Sequence, residues 1–322
     1  MTTLPQRPLG SSDLLVTVTG LGCNNFGRPG AATESQEGTT AVLDAAIDAG
    51  ITLLDTADIY GGSPGLSETL MGVALTGRRD SVILATKFGH EQFDAGVGSD
   101  APKGSREYIR LAVEASLRRL QTDYIDLYQM HTPDSSTPIE VTLAALTELV
   151  DEGKIRFFGH SNFSAEQILD AERVAAAAGG PRFVSAQNHY SLIAREAEKD
   201  VIPAVIEAGV GFLPFFPLAN GLLTGKFTRS HLAEDTRISR QKPEVYENAP
   251  WDVIEAFDAF SRDRHISMLD ATWGWLLAQP GMSSVIAGAT RPEQLRQNAA
   301  AGSAWTPTEA EASEISEIFA VR

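Results

Sequence analysis

The chain has 322 residues, of which 43% are hydrophobic and 21% are charged, a composition typical of a folded globular protein. Its formal net charge of −16 argues against nonspecific binding to nucleic acid or to an anionic membrane surface, because like charges repel. A single cysteine, Cys23, excludes an intramolecular disulfide and a cysteine-based metal cluster.

Apolar segments of strand length alternate with amphipathic segments of helical spacing along the chain. In chain order, the predicted strands cover residues 14–24, 51–55, 81–86, 124–130, 155–159, 183–186, 211–215 and 283–287. The predicted helices cover residues 40–49, 68–75, 105–120, 139–150, 165–178, 197–208, 251–279 and 292–300. A final helix over residues 308–319 lies beyond this alternation, and we predict that it is an addition at the C-terminus.

This alternation, without a Pro/Ser-rich linker, predicts one domain over residues 1–322: a single α/β (β/α)8 TIM barrel with an N-terminal hairpin. A doubly wound sheet is the alternative, and it normally carries a glycine-rich phosphate turn after its first strand. Gly20, Gly22 and Gly27 have the spacing GxGxxxxG, and Arg28 and Pro29 follow where that motif needs a helix. The barrel is therefore favoured.

Four reactive side chains lie at or just past the ends of consecutive predicted strands. Asp55, Lys87 and His131 each follow a strand, and Tyr60 comes five residues after Asp55. The carboxyl ends of barrel strands meet at one mouth, where active sites lie. An ammonium lowers the pKa of a nearby phenol, and a histidine can hydrogen-bond a substrate oxygen. The set suits reversible proton transfer to a carbonyl oxygen as it becomes an alcohol.

The sequence resembles the aldo-keto reductases from about residue 9 to residue 298. The motifs that carry this resemblance are DTADIYGG (55–62), TKFG (86–89), QMHTPD (129–134), GKIRFFGHSNFS (153–164), QNHYSL (187–192), FFPLANGLLTGK (215–226) and GATRPEQLRQN (288–298). The resemblance implies that Tyr60 is the general acid, that Lys87 depresses its pKa and that Asp55 is the partner of Lys87. It also implies that His131 orients the carbonyl and that a reduced nicotinamide donates hydride.

The resemblance also assigns residues that bind the cofactor. Ser161, Asn162 and Gln187 match the residues that hydrogen-bond the nicotinamide carboxamide, and Phe215 matches the residue that stacks on its ring. Further matched positions hold the pyrophosphate (Pro217, Leu218, Gly221, Lys226) and the adenosine 2′-phosphate and adenine (Gly288, Thr290, Arg291, Gln294, Asn298). Many members carry arginine where this chain has Gln294. Arg291 would supply that cation here, so NADP (as NADPH) is favoured over NAD.

Two other functions are considered. In the first, a class I aldolase barrel, Lys87 would be a Schiff-base nucleophile. That role needs a lowered pKa of Lys87, whereas an adjacent Asp55 would raise it. A cofactor-binding regulatory module, similar to potassium-channel β subunits, would use the same fold without turnover. The reductase is the leading hypothesis, acting on a small-molecule carbonyl or alcohol. The sequence leaves open the substrate, the reaction direction and the oligomeric state.

Three loops would shape the substrate site: residues 26–33, 90–103 and 228–250. The third is long and polar, and we interpret it as a lid candidate. The six histidines show no metal-ligand spacing, so no metal site is predicted. The N-terminus lacks the apolar core of a signal peptide, and prolines and glycines interrupt the longest uncharged stretch, 208–225. We therefore expect a cytoplasmic protein without a membrane span.

Overall fold

The computed structural model describes residues 4–92, 96, 98 and 100–320, and it begins with a short antiparallel hairpin. The hairpin consists of β1 (Gln6–Pro8) and β2 (Leu15–Thr17). Its apolar residues Leu9 and Val16 pack on the inner barrel residues Leu53, Ala85 and Leu127. The hairpin thus covers the amino-terminal end of the barrel, and the opposite end carries the site described below.

Eight parallel strands form the barrel sheet: β3 (Thr19–Gly22), β4 (Leu53–Asp55), β5 (Ile83–Phe88), β6 (Ile125–Met130), β7 (Ile155–Ser161), β8 (Phe183–Gln187), β9 (Gly211–Phe212) and β10 (Val285–Gly288). They pair in chain order, and β10 returns to pair with β3. A parallel bridge between Phe212 and Met282 links β9 to the segment that precedes β10. The predicted (β/α)8 barrel is confirmed.

The helices of the described residues are α1 (Gln36–Asp48), α2 (Leu66–Ala74), α3 (Arg106–Leu120), α4 (Ile139–Asp151), α5 (Ala165–Ala178), α6 (Val201–Ala208), α7 (Arg237–Gln241), α8 (Pro243–Glu247), α9 (Trp251–Asp263), α10 (Met268–Ala278), α11 (Pro292–Ala304) and α12 (Glu309–Ile318). Local chemistry sets several of their boundaries. In α5, for example, Ser164 and Gln167 form a capping box, and Gly179 ends the helix in the left-handed conformation. Within the described ranges, no helix is both long and apolar enough to span a membrane.

Several predicted elements differ in their limits. The strand predicted over 14–24 is divided into β2 and β3, which belong to different sheets. The helix predicted over 251–279 is two helices, because His265 has a left-handed φ of 56° and Ser267 caps a new helix at α10. The strand predicted over 211–215 ends at Phe212, shortly before Pro214, which has no N–H for the sheet ladder.

The lid candidate at residues 228–250 is more ordered than a loop. It contains α7 and α8, and a capping box between Thr236 and Ser239 begins α7. The Arg240 guanidinium donates a hydrogen bond to the backbone carbonyl of Gly30. This contact ties α7 to the loop that follows β3, so the segment lies across the mouth of the barrel.

Candidate active site

A cavity of about 1000 Å³ opens at the carboxyl ends of the barrel strands. Strand ends contribute to its wall, together with the loops after β3 and β9 and with α7. Of the predicted site residues, those in its wall are Asp55, Tyr60, His131, Ser161, Asn162, Gln187, Phe215, Pro217, Leu218, Gly221, Lys226, Gly288, Thr290, Gln294 and Asn298. Lys87 and Arg291 are not part of the wall.

Asp55 is the centre of a buried polar network beneath the cavity. Its Oδ2 lies 2.6 Å from the Nζ of Lys87, which also donates to the carbonyl of Thr56 at 3.0 Å. Its Oδ1 accepts hydrogen bonds from the side-chain amides of Gln129, at 2.9 Å, and Gln187, at 3.1 Å. All four side chains in this network are buried. The network holds Asp55 and Lys87 in one geometry, because each hydrogen bond restricts rotation.

Sequence reasoning missed the side chain of Gln129. It lies within β6, and the residue two positions later is His131. Because side chains alternate along a strand, positions 129 and 131 point to the same side. An amide on the same strand face as Leu127, which packs inside the barrel, was the available signal, since a buried amide needs hydrogen-bond partners.

Lys87 is fully buried, yet it is held as an ammonium. Burial lowers the pKa of Lys87, but the charge of Asp55, the Tyr60 hydroxyl and their hydrogen bonds raise it, and the net result is a pKa above 10.5. A Schiff-base nucleophile needs a neutral amine at working pH. The Asp55 partner therefore argues against the aldolase hypothesis.

Tyr60 lies in the cavity wall, with its ring centroid 5.3 Å from the Nζ of Lys87. Burial raises the pKa of the Tyr60 phenol, while the positive charge of Lys87 lowers it and Asp55 raises it. Burial outweighs the lysine, so the pKa lies above 10 rather than below it. Lys87 thus lowers the pKa of Tyr60 as expected, but burial determines the direction of the net shift. A protonated phenol at neutral pH is the form that donates a proton.

His131 lies beside Tyr60 at the end of β6, with the two ring centroids 5.9 Å apart. Burial lowers the pKa of His131 well below 6.5, and the charges of Lys87 and His90 lower it further. The imidazole is therefore neutral at neutral pH. Its Nδ1 is buried and has no hydrogen-bond partner among the described residues. His131 is itself part of the cavity wall, so a neutral imidazole is available to a ligand there.

Ser161, Asn162 and Gln187 come together where β7 and β8 end. The Ser161 hydroxyl donates to the Gln187 carbonyl at 2.7 Å. Asn162 adopts a left-handed φ of 61°, and its side-chain amide donates to the His131 carbonyl at 2.9 Å. The three residues thus form one polar cluster in the cavity wall. Phe215 lies nearby in the same wall, and its ring stacks on His189 at 5.3 Å with 6° between the planes.

The loop after β9 has a strained backbone. Phe216, Ala219 and Asn220 have positive φ values of 53°, 46° and 59°, and Gly221 follows at 104°. Left-handed conformations cost energy for residues with a Cβ and are concentrated at functional sites. A Cβ at Gly221 would lie 2.9 Å from the Nζ of Lys226, so glycine leaves room for this ammonium. The predicted residues Pro217 and Leu218 belong to the same loop.

The residues predicted to bind the adenosine end of the cofactor lie where β10 meets α11. Gln294 is already engaged, because its Oε1 accepts hydrogen bonds from the backbone and hydroxyl of Thr290 at 2.9 and 3.2 Å. Arg291 is exposed at the start of α11 and lies outside the cavity wall. Gln297 contributes to the wall, although sequence reasoning missed it. The sequence feature that indicates a place in the wall for Gln297 is its position one helical turn after Gln294, on the same face of α11.

A further buried carboxyl, that of Asp58, lies in the loop between Asp55 and Tyr60. The side chain is fully buried, and its oxygens receive no hydrogen bond of ordinary geometry from the described residues, although the Gly89 backbone N–H lies close enough to lower the pKa. Burial raises the pKa of Asp58 to about 8, and Glu68 raises it while Arg119 and Lys103 oppose the shift. The carboxyl is therefore mostly protonated at neutral pH.

Asp58→Asn is expected to stabilise the protein at pH 7 by about 1–3 kcal/mol. The unfolded chain releases the Asp58 proton near pH 3.8, whereas the folded protein retains it up to about pH 8. The free energy of unfolding therefore falls as pH rises through this window, and asparagine removes that loss. Urea unfolding at pH 4 and pH 7 measures the difference, with the exposed Asp13→Asn as a control. An advantage of equal size at both pH values would contradict the shifted pKa.

Comparison with known proteins agrees with this architecture. A model of the aldo/keto reductase family matches residues 19–320. The uncharacterized oxidoreductase YqkF of Bacillus subtilis (strain 168) is 36% identical over 310 residues, an alignment that covers 95% of this chain and 94% of that protein. The chain belongs to the aldo/keto reductase family. It is thus an oxidoreductase of a family that generally uses nicotinamide cofactors, and the predicted resemblance is confirmed.

Proposed function

We propose that the protein is an NADP-dependent oxidoreductase that reversibly reduces an aldehyde or ketone to an alcohol, with Tyr60 as the general acid. One observation carries the proposal: Tyr60, His131 and Asp55 open into the same cavity as all the predicted cofactor residues except Arg291, and a charged Lys87 lies directly behind them. The proton donor and the cofactor residues therefore share one space.

The cavity fits a nicotinamide dinucleotide in several respects. Its volume of about 1000 Å³ reaches the upper end of the range for small-molecule sites, roughly 300–1000 Å³. Ser161, Asn162 and Gln187 would hold the carboxamide, and the Phe215 ring would stack on the nicotinamide. The strained loop from Phe216 to Lys226 would hold the pyrophosphate. A bound reduced nicotinamide supplies the hydride for this chemistry.

The protein side of the reaction is proton transfer. His131, neutral and in the cavity wall beside Tyr60, would orient the substrate carbonyl next to the Tyr60 hydroxyl. Tyr60 would protonate the carbonyl oxygen as it gains negative charge. The phenolate left behind would be stabilised by the Lys87 ammonium, whose own charge is stabilised by Asp55. In the oxidative direction Tyr60 would accept the same proton.

A panel of aldehydes and ketones, followed by NADPH absorbance, tests the proposed function. Substrate-dependent loss of absorbance supports the reductase. Tight NADPH binding with no turnover of any carbonyl would instead favour the regulatory module. Borohydride in the presence of substrate gives a further test, because a covalent adduct on Lys87 would establish the aldolase and contradict the reductase.

Arg291→Ala is expected to weaken the binding of NADPH much more than that of NADH. Arg291 precedes α11, whose positive N-terminal end favours a phosphate, and its guanidinium would pair with the 2′-phosphate that only NADPH carries. Loss of such a contact corresponds to roughly tenfold or more in Kd. Fluorescence titration with both cofactors measures it, with Arg296→Ala on the same helix as a control. Equal effects on the two cofactors would show that Arg291 does not touch the 2′-phosphate.

A further inference from the structure

An exposed histidine, His189, stacks on Phe215, the ring predicted to lie against the nicotinamide. The two ring centroids are 5.3 Å apart, and 6° separates the ring planes. The backbone fixes this arrangement, because residues 189 and 215 form a parallel bridge just beyond β8 and β9. The Phe215 amide donates to the carbonyl of Asn188 at 3.1 Å, and the Tyr190 amide donates to that of Phe215 at 3.4 Å. Residues paired across a ladder project to the same side, so the register itself produces the stack.

The position of Phe216 shows which face of Phe215 remains open. The Phe216 ring stands at 84° to Phe215 and at 90° to His189, with centroid distances of 5.4 and 5.9 Å. It lies beside the stacked pair, since a ring on the far face of Phe215 would be much farther from His189. Phe215 belongs to the cavity wall, whereas His189 is not among the described residues that line it. His189 thus supports Phe215 from behind, and the opposite face of Phe215 is left for a ligand.

His189 is placed to gain and lose a proton. Its side chain is exposed, so it exchanges protons with solvent. Packing on one side lowers the pKa of His189 from 6.5, and the carboxylate of Glu196 opposes this shift. A second acid in the same turn, Glu198, is paired with Arg195 at 2.8 Å. The imidazole is therefore neutral at pH 8, and it becomes positive as the pH falls below 6.5.

Two cations from the segment 228–250 also approach this stack. The guanidinium carbon of Arg237 and the Nζ of Lys242 lie 5.6 and 5.9 Å from the Phe216 ring centroid. Arginine and lysine side chains normally keep their charge over the pH range in which a histidine titrates. They add a constant positive potential, so the change in charge at the stack between pH 8 and pH 5.5 comes from His189.

We propose that His189 makes binding of the oxidised cofactor pH dependent: its protonated ring lowers the affinity for NADP⁺, whose nicotinamide is positively charged, and leaves that for NADPH almost unchanged. The inference rests on the proposed function, in which the nicotinamide stacks on Phe215, and His189 is a positioning residue that acts through that ring. Two positive charges repel across an aromatic ring because hydrocarbon screens charge less than water does. Carbonyl reduction consumes a proton and leaves NADP⁺ in the site, so acidic pH would speed the release of NADP⁺.

Fluorescence titration of both cofactors at pH 8.0 and pH 5.5 tests this inference. The quantity of interest is the ratio of the Kd for NADP⁺ to the Kd for NADPH, because both carry the 2′-phosphate and its titration cancels. We expect this ratio to rise by about three- to tenfold between pH 8.0 and pH 5.5. A constant ratio with both cofactors bound would overturn the inference and leave the reductase intact. Failure of both cofactors to bind would overturn the proposed function as well.

Three variants locate the effect. His189→Phe keeps a ring behind Phe215 without a charge, so it should bind both cofactors with a ratio that is independent of pH. His189→Ala removes the support of Phe215 and should weaken both cofactors by a similar factor at both pH values. His231→Gln changes an exposed histidine outside the described cavity wall and should retain the wild-type ratio at each pH. A wild-type pH dependence in His189→Phe would exclude His189 as its source.

NMR of the histidine side chains gives a readout that does not depend on activity. Coupling between two binding events is reciprocal, so bound NADP⁺ should lower the pKa of His189 below its value in the NADPH complex. The His189 signal is identified by its absence from the spectrum of His189→Phe. The same pKa of His189 in the two complexes would contradict the proposed repulsion.

Discussion

Tyr60→Phe is expected to abolish carbonyl reduction while the affinity for NADPH stays within a few-fold of that of the wild type. The substitution removes a hydroxyl and retains the ring, so the cavity wall and the contact with His131 are preserved. General acid catalysis typically contributes about 10²- to 10⁴-fold to the rate, and a loss of at least this size is expected. Single-turnover kinetics with an aldehyde substrate measure the chemical step, and fluorescence titration measures cofactor binding.

Tyr124→Phe provides the matched control for this experiment. The Tyr124 hydroxyl donates to Asp80 at 2.7 Å on the surface, immediately before β6 begins and away from the cavity. It should reduce carbonyls at the wild-type rate. Wild-type turnover in Tyr60→Phe would remove Tyr60 as the acid, and a large loss of NADPH affinity would show that its hydroxyl serves binding instead.

Lys87→Met is expected to lower the free energy of unfolding by about 3–5 kcal/mol and to abolish turnover. The substitution leaves the buried Asp55 carboxylate without its cation, and an unpaired buried charge is costly. Gln129 and Gln187 still donate to Asp55, but two amides do not neutralise its charge. Denaturant unfolding at pH 7 measures the change.

The double variant Asp55→Asn/Lys87→Met separates stability from catalysis. Asparagine removes the unpaired charge and retains an oxygen that Gln129 and Gln187 can reach, so most of the lost stability should return. Activity should not return, because no ammonium remains to stabilise the Tyr60 phenolate. A single Lys87→Met variant as stable as the wild type would contradict the buried ion pair, and an active double variant would remove Lys87 from the mechanism.

The ends of the strands show how far local sequence could predict this site. Asp55 and His131 lie where the apolar pattern predicted, at the end of β4 and directly after β6. Lys87 was predicted to follow a strand that ends at residue 86, but it lies inside β5, in register with Gln129 of β6. A lysine normally ends a buried strand because burial of its charge is unfavourable. Asp55, which precedes Lys87 by 32 positions in the chain, removes that cost.

The sequence by itself determined the barrel, the family and the order of the strand ends, because these depend on periodicity and on short motifs that each segment carries alone. Tertiary structure alone decided the electrostatics. The pairing of Lys87 with Asp55 and the neutral state of His131 depend on which distant residues face each other. Burial and through-space charge set these properties, and both arise only when the strands close and the loops pack around the mouth.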